Sequence, residues 1–309
     1  MSRLEIWAAT TTPFDADGRL DVSVIPEQAE HLHRSGVFGA FVTGTTGEFP
    51  SLSAAERRRV VEAWSTARPH GMGFGVQVGS NDLAEATELA AHAADNGADL
   101  IAAVAPYYGE APSVDLSVAH LRAIGAAAPR TPFCYYHIPS MTGSTHRPSD
   151  VVAHAATHIP TLHAVKFTDE DLIEFDRTQR ASMGIKVFFG RDELLPAGLS
   201  FGAGAVIGSL FNGLAPVAHR VTEAYDRGDH HRAFTLHKPF RDIAEVSGQY
   251  GGLGFIKELM NRLGPDAGRP RTPWGPLDQS ALAAIDDLLP SLKQAIADAT
   301  EDGSQSDGS

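Results

Sequence analysis

Cysteine is almost missing from this chain. Cys134 stands alone, so an internal disulfide and a multi-cysteine zinc site are both excluded, and a reducing cytoplasm suits the composition. Its apolar neighbours make it a small buried strand residue. Long hydrophobic runs are missing too: no stretch of 18 apolar residues occurs, and the start MSRLEIWAAT lacks the basic, apolar and small-residue order of a secretory signal. An untargeted, soluble, cytoplasmic protein is expected. Positive charge is scarce, with 25 basic against 38 acidic residues and a net charge of −13. That sign opposes neutralisation of nucleic-acid phosphates or binding to anionic lipid. Walker, GxSxG and HExxH motifs are absent. Gly202, Gly204 and Gly208 resemble a phosphate loop only loosely, without its lysine or spacing.

The chain has 309 residues, enough for two average domains of about 150 residues or one large barrel with an appendage. Short apolar runs alternate with amphipathic stretches as far as Asp229, the pattern of parallel strands joined by crossover helices. Eight strands are expected, at Ile6–Ala9, Ala40–Thr43, Phe74–Val78, Leu100–Ala105, Phe133–His137, His163–Phe167, Val187–Gly190 and Ala205–Ser209. Ser53 with Glu56, and Asp82 with Glu85, are spaced as capping boxes, and Gly97 is placed as a left-handed helix stop. Eight units in this length predict a closed (β/α)8 barrel over residues 1–229. Helical stretches at His230–Ser247, Leu253–Leu263 and Gln279–Ala297 then form a C-terminal helical region over residues 230–298. Polar, acidic residues 299–309 are expected to be a disordered tail.

Reactive groups of such a barrel sit at the C-terminal ends of its strands. Lys166 interrupts an apolar strand, where an unpaired ammonium is costly to bury. Either it snorkels to Asp169 or Glu170, or it is a desolvated nucleophile able to form a Schiff base with a ketone. Tyr136 lies one βα unit earlier, so its phenol and the amine should share a pocket, unless it merely caps the barrel core. The run Gly44–Glu48, GTTGE, offers two hydroxyls and several backbone N–H groups, a nest suited to a carboxylate. Glu48 is expected to tie that loop. Asp192 and Glu193 suit either a polyol or the dipole of the helix that follows. His154 and His158 share a helix face without a third ligand and read as solvated residues.

GTTGE at Gly44–Glu48, PYY at Pro106–Tyr108, YHIP at Tyr136–Pro139 and Lys166, taken in this order, resemble the pyruvate-dependent class I aldolases of the N-acetylneuraminate lyase and dihydrodipicolinate synthase superfamily. The text CYYHIPSMTG followed by VKFTDEDL resembles the lyase branch, with Met141 where the synthase branch typically carries an arginine. The resemblance implies that Lys166 forms the imine, that Tyr136 moves the proton of the C4 hydroxyl, and that Thr45 and Thr46 hold the pyruvoyl carboxylate. It implies that Tyr108 joins a hydroxyl relay with Thr45, and that Thr168, Gly190, Asp192, Glu193 and Ser209 bind the sugar. It also implies a homotetramer with a small 2-keto acid substrate and neither metal nor organic cofactor.

The leading expectation is reversible cleavage of N-acetylneuraminate to N-acetylmannosamine and pyruvate. Other pyruvate-dependent reactions remain alternatives: an aldolase or dehydratase for another 2-keto-3-deoxy sugar acid, a hydratase-aldolase for aromatic substrates, or a synthase-like condensation. A non-catalytic sugar-acid sensor is the alternative of another class. Phe49, Phe167, Arg191, Leu210 and Phe211 depart from the commonest residues of the family, and Tyr250–Phe255, where the resemblance implies another residue contacting the sugar tail, is too glycine-rich to align.

Overall fold

The computed structural model describes residues 4–306. Eight strands, β1 (Glu5–Ala9), β2 (Gly39–Val42), β3 (Gly73–Gln77), β4 (Leu100–Val104), β5 (Phe133–His137), β6 (Leu162–Phe167), β7 (Lys186–Phe189) and β8 (Ala205–Gly208), pair in parallel in chain order, and β8 closes on β1. The fold is therefore a TIM barrel with a helical C-terminal region, and each expected strand lies within two residues of an observed one.

Helices follow the strands: α1 (Ile25–Arg34), α2 (Ala54–Ala67), α3 (Leu83–Asp95), α4 (Val114–Ala126), the short α5 (Pro139–Thr142), α6 (Pro148–His158), α7 (Leu172–Ala181), α8 (Leu195–Ser200) and α9 (Phe211–Asp226). Beyond the barrel come α10 (His230–Leu236), α11 (Lys238–Ser247), α12 (Leu253–Leu263) and α13 (Gln279–Ser306). None of the described helices is long and apolar enough to cross a membrane.

Alternation along the strands sorts side chains into two cores. In β5, Phe133 and Tyr135 join the shell between strands and helices. Cys134 and Tyr136 point into the barrel, with Phe41, Ala164 and Phe188. Trp7 plugs the barrel's N-terminal end because Gly39 and Gly73 leave it room: a Cβ on either would meet its ring at 2.6 to 2.7 Å.

Three local expectations change. The capping box at Ser53 forms in full, but at Asp82 only half of it does. Asp82 accepts from the N–H groups of Ala84 and Glu85, whereas the Glu85 carboxylate accepts from Ser80 Oγ instead. The stretch His230–Ser247 breaks at His237, because Pro239 has no N–H with which to continue the helical ladder. Residues 299–306, expected to fray, continue α13, since extending a formed helix costs far less than starting one. The rest of that tail lies outside the described residues.

Candidate active site

Tyr136 and Lys166 are direct partners in the β5–β6 register and share the inward parity of their strands. Lys166 is 4% exposed, and its amine lies 4.1 Å from the centroid of the Tyr136 ring and 4.7 Å from that of Phe41. Snorkelling is thereby answered: Asp169 faces His137, Glu170 pairs with Arg191, and neither forms an ion pair with Lys166. The Tyr136 hydroxyl is 3.1 Å from Thr45 Oγ1, close enough to exchange a proton with it. Cys134, on the same inner face, has its thiol pushed up to about 12 by burial, so it is no rival nucleophile.

Thr46 Oγ1 meets Ser209 Oγ at 2.6 Å and links the loop after β2 to the end of β8. That loop is held from below, where Thr12 Oγ1 donates to the Gly47 carbonyl at 2.7 Å and Thr43 Oγ1 donates to the Gln77 carbonyl at 2.8 Å. Glu48 is a tie, as expected. Its carboxylate accepts from Lys257 Nζ at 2.7 Å and from the Arg271 N–H at 2.8 Å, and its backbone sits in the left-handed region at φ 55°.

Asp192 is buried, and its Oδ2 accepts from the Leu210 N–H at 2.7 Å. It therefore caps the chain entering α9 rather than the helix that directly follows it in sequence. The carboxylate fits because residue 208 is glycine: a Cβ there would lie 1.5 Å from Asp192 Oδ1. Burial, reinforced by Glu193, raises the Asp192 carboxyl to about 7 against the opposing pull of the Leu210 N–H, Lys166 and Arg191. From behind, His237 Nε2 donates to the Asp192 main-chain oxygen at 2.8 Å, and burial keeps that imidazole neutral by lowering it to about 4. Glu193 pairs with Arg191 at 3.0 Å. The Thr168 hydroxyl is buried with no hydrogen-bond partner among the described residues, and Gly190 leaves it space, since a Cβ there would meet Thr168 Oγ1 at 2.2 Å.

A cavity of about 330 Å³ joins these groups; Thr45, Thr46, Tyr136, Lys166, Thr168, Gly190, Asp192, Glu193 and Ser209 all line it. Tyr108 does not. Its side chain is fully exposed on a backbone at φ 69°, so the expected contact with Thr45 is absent within this chain, and Tyr136 takes the Thr45 hydroxyl instead. The neighbouring Tyr107 packs edge-on against Phe49. His154 and His158 stack on each other at 4.2 Å between centroids, on the outside of α6.

Residues beyond the barrel complete the cavity; the sequence pointed only to the region Tyr250–Phe255, without naming a residue in it, and the others were missed. Ile243, Ala244 and Ser247 of α11, with Gly252, Leu253 and Ile256 around the start of α12, form its roof. The glycine break at Gly248–Gly252 between two amphipathic helices was the available signal.

The dihydrodipicolinate synthetase family model matches residues 3–292. The chain is 35% identical over 291 residues to N-acetylneuraminate lyase of Mus musculus, covering 92% of this chain and 91% of that one. Among solved structures it resembles Proteus mirabilis N-acetylneuraminate lyase, with a TM-score of 0.88 and 35% identity over 94% of this chain and 98% of the other. It also resembles N-acetylneuraminate lyase (sialic acid aldolase) from Aliivibrio salmonicida, with a TM-score of 0.89 and 32% identity over the same shares. An inward lysine beside an inward tyrosine at the mouth of an eight-stranded barrel thus coincides with a match along almost the whole chain, and the protein belongs to the dihydrodipicolinate synthetase family.

Proposed function

We propose that this protein is a Schiff-base aldolase that reversibly cleaves N-acetylneuraminate to N-acetylmannosamine and pyruvate. The observation that carries the reading is the cross-strand pair of Tyr136 and Lys166, with Thr45 on the phenol, inside one cavity. Thr45 and Thr46, with their backbone N–H groups, hold the 2-keto acid's carboxylate. Lys166 Nζ adds to the C2 ketone, and loss of water gives the protonated imine. Tyr136, its own proton passed to the Thr45 side, takes the proton of the C4 hydroxyl. The C3–C4 bond then breaks, its electron pair moves toward the iminium nitrogen, and an enamine and a free aldehyde result. Protonation at C3 and hydrolysis of the imine release pyruvate and restore the amine. Lys166 itself is the electron sink, and the scheme draws on no metal or organic cofactor.

The sugar end is assigned to the opposite wall. Thr168 brings an unengaged hydroxyl, Asp192 and Glu193 bring carboxyl groups, and Gly190 and Ser209 complete the surface. Such a polar wall suits a polyhydroxylated tail better than an aromatic one, and the names of the relatives support the same choice. We place the protein in the cytoplasm as a homotetramer on its similarity to that family.

Borohydride added with pyruvate is expected to leave a covalent mass on Lys166, and Lys166→Met to abolish it. Labelling at another residue removes the mechanism. Pyruvate release is then compared for N-acetylneuraminate and 2-keto-3-deoxygluconate. Turnover of the second alone would overturn the substrate while leaving the imine chemistry in place.

A further inference from the structure

Lys257 is a buried cation that the chemistry above does not use. Its side chain and that of Glu48 are each 1% exposed, although they are 209 residues apart in the chain. Burying an ion pair is costly unless its hydrogen bonds are satisfied, and an apolar pair would serve equally well if only stability were at stake. Here the bonds converge on one loop. Lys257 Nζ donates to Glu48 Oε1 at 2.7 Å and to the Thr12 carbonyl at 2.8 Å, and it lies 4.0 Å from the centroid of the Phe14 ring. Thr12 in turn holds the Gly47 carbonyl. The Glu48 N–H donates to the Thr45 carbonyl at 2.9 Å, so a shift at Glu48 reaches Thr45 directly.

We propose that Lys257 is a positioning residue for recognition of the 2-keto acid's carboxylate, holding the Gly44–Glu48 loop so that Thr45 and Thr46 face the cavity. This rests on the reading of those two threonines as the carboxylate's ligands. The ammonium grips the end of the loop twice, at Glu48 through its carboxylate and at Gly47 through Thr12. It also neutralises a fixed anion three residues from Thr45, which would otherwise repel an incoming carboxylate. The other charges facing Lys257 are Arg271, which opposes it, and Glu258 on its own helix, which favours it. Burial lowers the amine to about 8 despite the attraction of Glu48. Through this one side chain, α12 and the loop after β2 become a single unit.

The test separates two ketones. Borohydride trapping on Lys166 is followed against the concentration of pyruvate, which has a carboxylate, and of acetone, which has none. Lys257→Met is expected to raise the pyruvate concentration for half-maximal trapping about tenfold, the effect of one lost charge-assisted hydrogen bond. Trapping with acetone should be unchanged, and Lys257→Arg, which keeps the charge, should fall between Met and wild type. An unchanged pyruvate dependence overturns the proposal, and so does an equal loss with both ketones. Should Lys257→Met fail to fold, Lys257→Gln, which loses the charge and keeps hydrogen-bond donors, carries the same comparison with the same outcomes. Failure of the wild-type chain to trap either ketone would instead overturn the aldolase reading itself.

Discussion

A carboxyl group shut away from water is costly to ionise, and Asp192 shows what that does to stability. Its carboxyl, raised to about 7 chiefly by burial, stays protonated in the folded chain at pH values where the unfolded chain has already lost the proton. From about pH 4 to about pH 7 the native state therefore binds more protons, and stability falls with rising pH before levelling off above the folded value. Asp192→Asn keeps an oxygen for the Leu210 N–H and removes this slope. The thermal midpoint of the wild type is expected to fall relative to that of the variant between pH 4 and pH 8, by the equivalent of about 1–3 kcal/mol; parallel curves would show that the carboxyl ionises freely. Single residues differ in how well the sequence discloses them. Lys166 was legible because a charge inside an apolar strand demands a reason. Lys257 was not, because within LGFIKELMNRL a lysine reads as a solvated helix position until Glu48 is brought beneath it by the fold. Tyr108 was legible as part of a motif, but only the left-handed backbone that turns it outward decides where it points.

At the scale of elements, the N-terminus of α2 is tied down twice. The Glu56 carboxylate completes the capping box with Ser53 and also accepts from Arg271, Nη2 lying 2.6 Å from Oε1. These bonds, that of Arg271 first, lower its carboxyl to about 2 against the effect of burial. A folded-state value below the unfolded one contributes stability that is present above about pH 4.5 and is lost as the pH falls toward 2. Glu56→Gln is expected to lose about 1 kcal/mol at pH 7, the pair being partly open to solvent. Urea titrations should show that deficit shrinking between pH 5 and pH 3, and a constant deficit would mean that packing rather than charge holds the helix end. The capping box itself was readable from four consecutive residues, and all eight strands from short apolar runs, because both are local signals. The roof of the cavity was not, since Ile243, Ser247 and Ile256 become its lining only where α11 and α12 cross the barrel mouth.

For the whole molecule, the sequence suggests a barrel followed by a helical region, and the packing decides whether the two unfold apart. Phe240 and Ile243 of α11, Phe255 and Leu259 of α12, and Ile285 and Leu292 of α13 are fully buried in the same continuous core as the strand-flanking residues. Val217 and Val221 on α9 are buried in it as well. Arg271 adds bonds from beyond the barrel to the carbonyls of Gly18 and Ser51. Stripping the helical region would expose those apolar faces and leave Glu48 as a buried carboxylate without its cation, so neither part should be stable alone. The chain is accordingly expected to unfold in one calorimetric transition, with van't Hoff and calorimetric enthalpies in agreement. A chain ending at residue 229 should lack cooperative unfolding and should not trap pyruvate. Two resolved transitions in the intact chain, or a folded and trapping-competent fragment, would mean that the barrel needs its C-terminal helices neither for its core nor for its carboxylate loop.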